Sequence, residues 1–294
     1  MHGGGFTLYA TCPDSEGDAV DREGVWLRAA AGEFDAIVFS SVWRQVDELL
    51  AHRHIWRTRR TVIIDTEDSG ICFPWSGNVG RRGVLRMIRA AWSVRRVPRF
   101  MRERPDTWWP SASIRRPSNW LTNALSHTLL AIAPPEQISF SVPEEYIVEK
   151  IPVKDRDFFD HVVDEDTASC IPGSSVRPPY ESERAYVDGI RRSRFGITRK
   201  RAGWDCLRHY EFAANGCVPC FRFLDRKPRA CAPHGLDATN CILYSDPDEM
   251  IQRVTALTDA EYQRLAEGAL KWAHRNSTVV RASDVLNRIG LEVS

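Results

Sequence analysis

Residues 186–248 read YVDGIRRSRFGITRKRAGWDCLRHYEFAANGCVPCFRFLDRKPRACAPHGLDATNCILYSDPD and predict one α/β unit. Arg194–Ile197 predicts a short strand, which a polar turn joins to a helix that opens near Trp204. Asn215-Gly216 suits the left-handed C-cap of that helix. Cys217–Phe221 then predicts a brief buried strand, so the stretch alternates strand and helix as in a parallel sheet.

The turn between the first strand and the helix is the chemically informative part of this unit. A helix that begins directly after a strand presents free backbone N–H groups and the positive end of its dipole, and therefore favours an anion. Glu211 lies further along the same helix face as Trp204 and Arg208. A cationic cradle followed by a carboxylate can hold a diphosphate and the hydroxyls of a ribose together. The basic side chains around the predicted helix start are Arg199, Lys200 and Arg201.

Several segments of this region resemble the donor-binding half of GT-B glycosyltransferases, especially exostosin-like and family-one-like members with an R-x-x-E-x-x-x-x-G-x-x-P run. The downstream run Asn240–Glu249 resembles the strand-then-helix continuation of those families. The resemblance implies an α/β fold with two Rossmann-like domains that face a cleft, the second of them short. The segments that carry it are Ser193–Ile197, Gly203–Asp205, Arg208–Glu211 and Gly216–Pro219.

The resemblance also implies an activity and a set of donor contacts. It implies a hexosyl- or pentosyltransferase that uses a nucleotide-diphosphate sugar, with no metal and no other cofactor. Glu211 is expected to take the ribose hydroxyls, while cations and the helix start stabilise the charge that develops on the diphosphate. Arg208 either contacts phosphate or pairs with Glu211, and His209 is interpreted as a packed helix residue. The predicted donor-binding residues are Arg199, Lys200, Gly203, Trp204, Asp205, Arg208 and Glu211.

The first half of the chain also alternates strands with helices. Gly5–Ala10, Phe34–Phe39 and Thr61–Ile64 predict strands, and the apolar runs suit a parallel sheet buried on both faces. We therefore expect an acceptor domain over residues 1–150, with a basic helical insertion at about 75–130. The donor domain is expected over residues 151–294, with its last helix returning to the first domain.

A cluster of acids follows the third predicted strand. In open α/β sheets ligands bind at the carboxyl ends of the strands, so Asp65 and Asp68 are candidate catalytic bases for the acceptor hydroxyl. Asp14, after the first predicted strand, is a further candidate. The alternative interpretation is that these acids only start a loop.

Residues 81–117 contain eleven arginines and two acids. Residues 83–97 predict a basic amphipathic helix with Leu85, Ile88, Ala91 and Trp92 on one face. This helix is an ordinary surface helix, a dock for an anionic membrane, or a contact for an anionic acceptor such as nucleic acid. The sequence leaves the acceptor open among a glycan, a lipid-linked sugar, a small molecule and a nucleic acid.

Composition and missing motifs narrow the class of protein. A hydrophobic share of 43%, a charged share of 27% and a net charge of +1 fit a globular enzyme. Neither a signal peptide nor a run of 18 apolar residues is present, so we expect a cytoplasmic protein, with peripheral membrane contact through residues 83–97 as an open alternative. The sequence lacks a P-loop motif. The eight cysteines are interpreted as buried thiols rather than zinc ligands, and Asp164-Glu165-Asp166 as a solvated turn rather than a metal site.

Two alternatives to a glycosyltransferase remain from the sequence. One is a non-catalytic module that binds a nucleotide or a glycan. The other is a protein that acts on or modifies DNA through the arginine-rich region 81–117, and such binding would weaken steeply with salt.

Overall fold

A computed structural model describes residues 22–40, 45–65, 83–103 and 135–291. The chain divides into two compact units. Unit 1 holds the described residues of Met1–Met101, Thr107–Glu136 and Ser283–Ser294, and unit 2 those of Arg102–Asp106 and Gln137–Ala282. This division falls after residue 136, ahead of the boundary predicted after residue 150.

Unit 1 contains a four-stranded sheet in the order β1-β2-β3-β4, whose last strand reaches into unit 2 by one residue. The β1–β2 and β2–β3 pairs are parallel. One apolar cluster, which includes Phe39, Leu49, Trp56, Ile63 and Met87, joins the sheet to its helices. In order, the elements are α1 (Arg22–Ala31), β1 (Ala36–Ser40), α2 (Val46–Ala51), α3 (Arg53–Trp56), β2 (Arg60–Asp65), α4 (Val84–Ser93), β3 (Arg99–Met101) and β4 (Glu136–Gln137).

Unit 2 contains a second four-stranded sheet, in which all pairs are parallel and the order is β5-β6-β7-β8. The core of this unit packs Phe195, Ile197 and Val218 against helices on the sheet. Its elements are β5 (Arg156–Phe158), α5 (Glu165–Ser169), α6 (Glu183–Arg192), β6 (Ser193–Arg199), α7 (Leu207–Ala214), β7 (Val218–Arg222), β8 (Ile242–Tyr244), α8 (Pro247–Thr255) and α9 (Asp259–Arg275), and single 3-10 turns occur at Glu144–Tyr146 and Leu224–Arg226. The last helix, α10 (Thr278–Arg288), begins in the part of the chain assigned to unit 2 and ends in the part assigned to unit 1.

Local signals at the helix ends of unit 2 are confirmed. Asn215 caps α7, and Gly216 follows with a positive φ of 64°. A capping box forms at the start of α9, because Thr258 accepts from the N–H of Glu261 and Glu261 accepts from the N–H of Thr258. The mixed α/β class is confirmed, and β5 completes a sheet whose first strand is hard to recognise from sequence.

The structure corrects two predicted elements. The alternating sequence of residues 136–142 is typical of a strand, but it pairs as one only at Glu136–Gln137, and Val142 forms an isolated bridge to Ser277. The face of α4 that packs on the core consists of Met87, Ala90 and Ala91, whereas Leu85 and Trp92 are exposed. The small alanines allow close packing, which leaves the larger side chains outside.

The predicted strand over residues 5–10, a predicted helix over 118–132, and the acids Asp14 and Asp68 lie outside the described residues. Within the described ranges, no helix is long and apolar enough to cross a membrane.

Candidate functional site

The carboxyl ends of β5 and β6, together with the start of the helix after β6, bring three groups of polar residues to one edge of the unit 2 sheet. The segment after β5 carries His161 and Asp164, the end of β6 carries Arg199, and α7 begins at Leu207 after the connecting loop. In parallel α/β sheets this edge is where ligands bind. Gly196 permits α7 to pack closely on β6, because a Cβ there would lie 2.5 Å from the ring of Phe212.

Arg208, in the first turn of α7, has no carboxylate partner among the described residues, and two of its guanidinium nitrogens, the buried Nε and Nη1, make no hydrogen bond. The alternative pair with Glu211 is therefore not formed. Because buried N–H donors without a hydrogen bond are costly, an anion that reached this site would gain a strong charge-assisted interaction.

His161 places an unused acceptor near this arginine. Its ring is 5% exposed. Burial lowers its pKa, and the positive charges of Arg208 and Arg201 lower it further, so the ring is neutral at pH 7. Nε2 lies 3.1 Å from the carbonyl of Val176 and must be the protonated nitrogen. Nδ1 has no partner within the described residues and can accept a hydrogen bond from a ligand hydroxyl.

Glu211 is oriented by a neighbouring helix. The phenol of Tyr186 on α6 donates to Oε2 of Glu211 at 2.7 Å. Burial, followed by the charge of this carboxylate, raises the pKa of Tyr186, so the phenol stays protonated and continues to donate. The carboxylate retains acceptor capacity for a further donor.

Arg199 belongs to an ion-pair network that the sequence did not predict. Its Nη1 lies 2.5 Å from Oδ1 of Asp164, and Nη1 of Arg222 lies 2.7 Å from Oδ2 of the same carboxylate. Asp164 is fully buried and also accepts from the hydroxyl of Thr167 at 2.6 Å. The solvated turn predicted at Asp164–Asp166 is therefore wrong at Asp164, because adjacent parallel strands deliver two arginines to it. The side chain of Arg199 remains 45% exposed, so it can still face a ligand.

The loop before α7 differs from the predicted helix start. Asp205 is 4% exposed, and its carboxylate accepts from the N–H of Phe140 at 2.7 Å and from the phenol of Tyr210 at 2.8 Å. Its backbone N–H donates to Glu103 at 2.8 Å. The predicted donor contact of Asp205 is corrected to a role in holding the loop, since its side chain and amide are both engaged by protein groups.

The remaining predicted loop residues lie in different environments. Gly203 is buried, and its carbonyl accepts from the N–H of Arg201 at 3.0 Å. Trp204 is half-buried with its ring edge-on to Phe221. Lys200 is exposed, with Nζ 5.9 Å from the Trp204 ring centroid. Lys200 therefore presents its positive charge to solvent, and it forms no ion pair within the described ranges.

His209 is confirmed as a packed residue. It is fully buried, with Nδ1 2.9 Å from the hydroxyl of Thr198 and Nε2 3.0 Å from the carbonyl of Trp204. Burial lowers its pKa to about 4, so the ring is neutral and fixes the loop to β6.

Asp65 is the last residue of β2 and therefore stands at the carboxyl end of a strand in the unit 1 sheet. The pairing of β2 with β1 and β3 is parallel, as expected for a ligand-binding edge. Its assignment as a base, like that of Asp68, stays a prediction.

The described cysteines of unit 2 are free thiols and form no disulfide. Those at positions 217, 220, 231 and 241 are free and buried. Across the described ranges, no group of three or more His, Cys, Asp or Glu residues is arranged to hold a metal ion.

Sequence reasoning missed His161 and Tyr186. His161 lies shortly after the end of β5 at Phe158, which is a usable signal of the ligand-binding edge, but so short a strand is hard to recognise from the sequence. Tyr186 gave no signal, because its contact with Glu211 depends on how α6 packs beside α7.

No protein-family model matches this chain. No curated protein matches it either. Among solved structures, a UDP-forming α,α-trehalose-phosphate synthase from Burkholderia vietnamiensis aligns with 91% of this chain and 48% of its own. The chain thus spans about half the length of that enzyme, with 12% identity and a TM-score of 0.31. A likeness of this size carries no argument about activity.

Proposed function

We propose that the chain is a glycosyltransferase that moves a sugar from a nucleotide-diphosphate donor to an acceptor hydroxyl without a metal ion. The bond between the anomeric carbon and the diphosphate oxygen breaks, and the diphosphate leaves with the electron pair. The acceptor oxygen bonds to the anomeric carbon and loses its proton to a base.

The observation that carries this proposal is the guanidinium of Arg208 at the carboxyl edge of the unit 2 sheet, whose buried Nε and Nη1 have no hydrogen-bond partner among the described residues. Cations near a leaving diphosphate stabilise the charge that develops in the transition state. Neutral His161 and the carboxylate of Glu211 add hydrogen-bond acceptors near this cation. Hydrogen-bond acceptors beside a cation suit a ligand in which hydroxyl groups can donate to the acceptors and phosphate groups can bind the cation.

We assign the residues as follows. Arg208, with the exposed Lys200 and Arg199 at the rim, binds the diphosphate. Glu211 accepts from the ribose hydroxyls, and Tyr186 fixes the direction of its carboxylate. His161 accepts from a donor hydroxyl.

The acceptor side of the reaction is assigned to unit 1. We propose Asp65 or Asp68 as the base that takes the proton of the acceptor hydroxyl. An acceptor that bears a sugar hydroxyl is consistent with this role.

Binding measurements test the donor site directly. A thermal-shift screen against UDP, GDP, dTDP, CDP and their sugars identifies the donor, and calorimetry then gives its affinity. Arg208→Gln and Glu211→Gln should each weaken binding about tenfold or more while the melting temperature stays nearly constant. Arg184→Gln is the matched control, because this unit 2 arginine is 93% exposed.

Two results would contradict the proposal. Unchanged donor affinity in both variants would show that Arg208 and Glu211 do not form the donor site. Tight donor binding with no transfer to any acceptor and no donor hydrolysis would leave a binding module instead of an enzyme.

A further inference from the structure

Unit 1 has a strongly cationic cavity at the amino-terminal edge of its sheet. The cavity has a volume of about 1070 Å³, and its lining includes Arg60 at the start of β2 and Pro98 before β3. It therefore lies at the opposite edge of the sheet from Asp65, which ends β2. Among the described residues, seven arginines and no acidic residue line it: Arg53, Arg57, Arg59, Arg60, Arg89, Arg95 and Arg96.

The described residues do not neutralise these arginines. In the described part of the chain, none of the seven forms an ion pair with a carboxylate. Arg57 and Arg59 instead donate to the backbone carbonyls of Ser93 and Ala30. Burial lowers the pKa of Arg57, and the charges of Arg53 and Arg95 lower it further, which shows that the cations repel one another. A bound anion would relieve that repulsion.

The exposed face of α4 places apolar side chains among these cations. Leu85 is 83% exposed and Trp92 is 58% exposed. They lie two helical turns apart on one stripe, with Arg89 between them. Both side chains also border the cavity, and the guanidinium of Arg95 lies 5.2 Å from the Trp92 ring centroid.

We infer that this face of unit 1, which we call the α4 face, binds the surface of an anionic lipid bilayer. Arginines contact the phosphodiester headgroups, while Leu85 and Trp92 enter the boundary with the acyl chains. A nucleic acid would use the same cations, but phosphate contacts give no reason for an exposed aliphatic side chain such as Leu85. The combination of cationic and exposed apolar groups therefore favours lipid.

Vesicle flotation of the full chain tests this inference. The protein should float with phosphatidylcholine vesicles that contain phosphatidylglycerol, should not float with phosphatidylcholine alone, and should dissociate as salt rises. Arg89→Glu with Arg96→Glu should reduce partitioning about tenfold or more. Leu85→Ala with Trp92→Ala should also reduce it clearly, and because these side chains are exposed the melting temperature should not change.

The matched controls are Arg184→Glu and Val153→Ala, which alter an exposed cation and an exposed apolar residue of unit 2 and should leave flotation unchanged. Absence of flotation by the wild type overturns the inference, as does flotation that neither α4 variant affects. A third outcome also overturns the inference. If only Arg89→Glu with Arg96→Glu loses flotation, and the wild type retains DNA or RNA in a salt-sensitive manner, the α4 face is a nucleic-acid surface. Flotation does not depend on donor binding, so this result is separate from the proposed transfer activity.

Discussion

The phenol of Tyr186 lies 2.7 Å from Oε2 of Glu211, and this contact joins α6 to α7 beside Arg208. This contact fixes one oxygen of the carboxylate and leaves the other for a ligand. It gives Glu211 a defined direction that helix periodicity alone does not provide.

Tyr186→Phe should remove this orientation with little change in packing. We expect a loss of about 1 kcal/mol in the free energy of unfolding and a weaker affinity for the donor nucleotide. Calorimetry gives the nucleotide affinity of this variant and of the same change made in a Glu211→Gln background. The two results together give the coupling between Tyr186 and Glu211 in nucleotide binding. Tyr180→Phe is the control, because Tyr180 stacks on the same Phe159 ring but its hydroxyl donates to Asp160. Equal effects of the two variants on nucleotide affinity would contradict the assigned role.

Asp164→Asn should destabilise unit 2 by roughly 3 kcal/mol at pH 7, since two arginines lose their shared carboxylate. Burial alone would raise the pKa of Asp164, but Thr167, Arg222 and Arg199 together lower it below the ordinary value of 3.8. The stabilisation is therefore present above about pH 3.8 and is lost as pH falls through the lowered pKa. Urea unfolding across the acid range measures it, and the stability gap between wild type and variant should close there.

The control for this prediction is Asp166→Asn. Asp166 pairs with the same Arg222, but its side chain is 74% exposed, so we expect a change below about 1 kcal/mol. Comparable losses in both variants would contradict the importance of burial.

His209 should make stability depend on pH between about 6.5 and 4. Its pKa falls from 6.5 unfolded to about 4 folded, so the unfolded chain binds the extra proton in this range. The contribution of neutral, buried His209 to the free energy of unfolding is complete above pH 6.5. It is lost as pH falls toward 4, and the loss is roughly 2 kcal/mol at pH 5. Comparison of the wild type with His209→Gln by urea unfolding isolates it. An NMR titration of His209 with a midpoint near 6.5 would show the prediction to be wrong.

Gly196→Ala should destabilise the protein by about 1–3 kcal/mol, because the new Cβ would lie 2.5 Å from the Phe212 ring. Phe212→Leu creates space at the same contact. The double variant should therefore be more stable than the sum of the two single effects predicts, as measured by denaturant unfolding. Simple additivity would mean that Gly196 is needed for another reason.

Donor nucleotide binding should survive EDTA. Both oxygens of Asp164 in the D-x-D run already contact arginines, which leaves this acid poorly placed as a metal ligand. Calorimetry with EDTA, and with magnesium-saturated EDTA as the control, measures the effect. A loss of binding that Mn²⁺ restores would return Asp164 and Asp166 to consideration as metal ligands.

Much of the local structure follows from the sequence. The Thr258 capping box, the Asn215-Gly216 helix end and the apolar strands near residues 36–40, 60–65, 193–199 and 218–222 are set by neighbouring residues, and each is present. Boundaries were less accurate where distant groups intervene. The helix predicted near Trp204 begins at Leu207 because Glu103, about a hundred positions earlier, binds the N–H of Asp205.

The sequence by itself determined the α/β class, the packed role of His209 and the concentration of positive charge around α7 and α4, because short-range patterning and composition specify these properties. Only the tertiary structure decided which cations are already paired. Asp164 forms ion pairs with Arg199 and Arg222, whereas Arg208 and the seven cavity arginines have no carboxylate partner among the described residues. Ion pairing depends on which strand and helix ends meet in space, and no pattern along the chain contains that information.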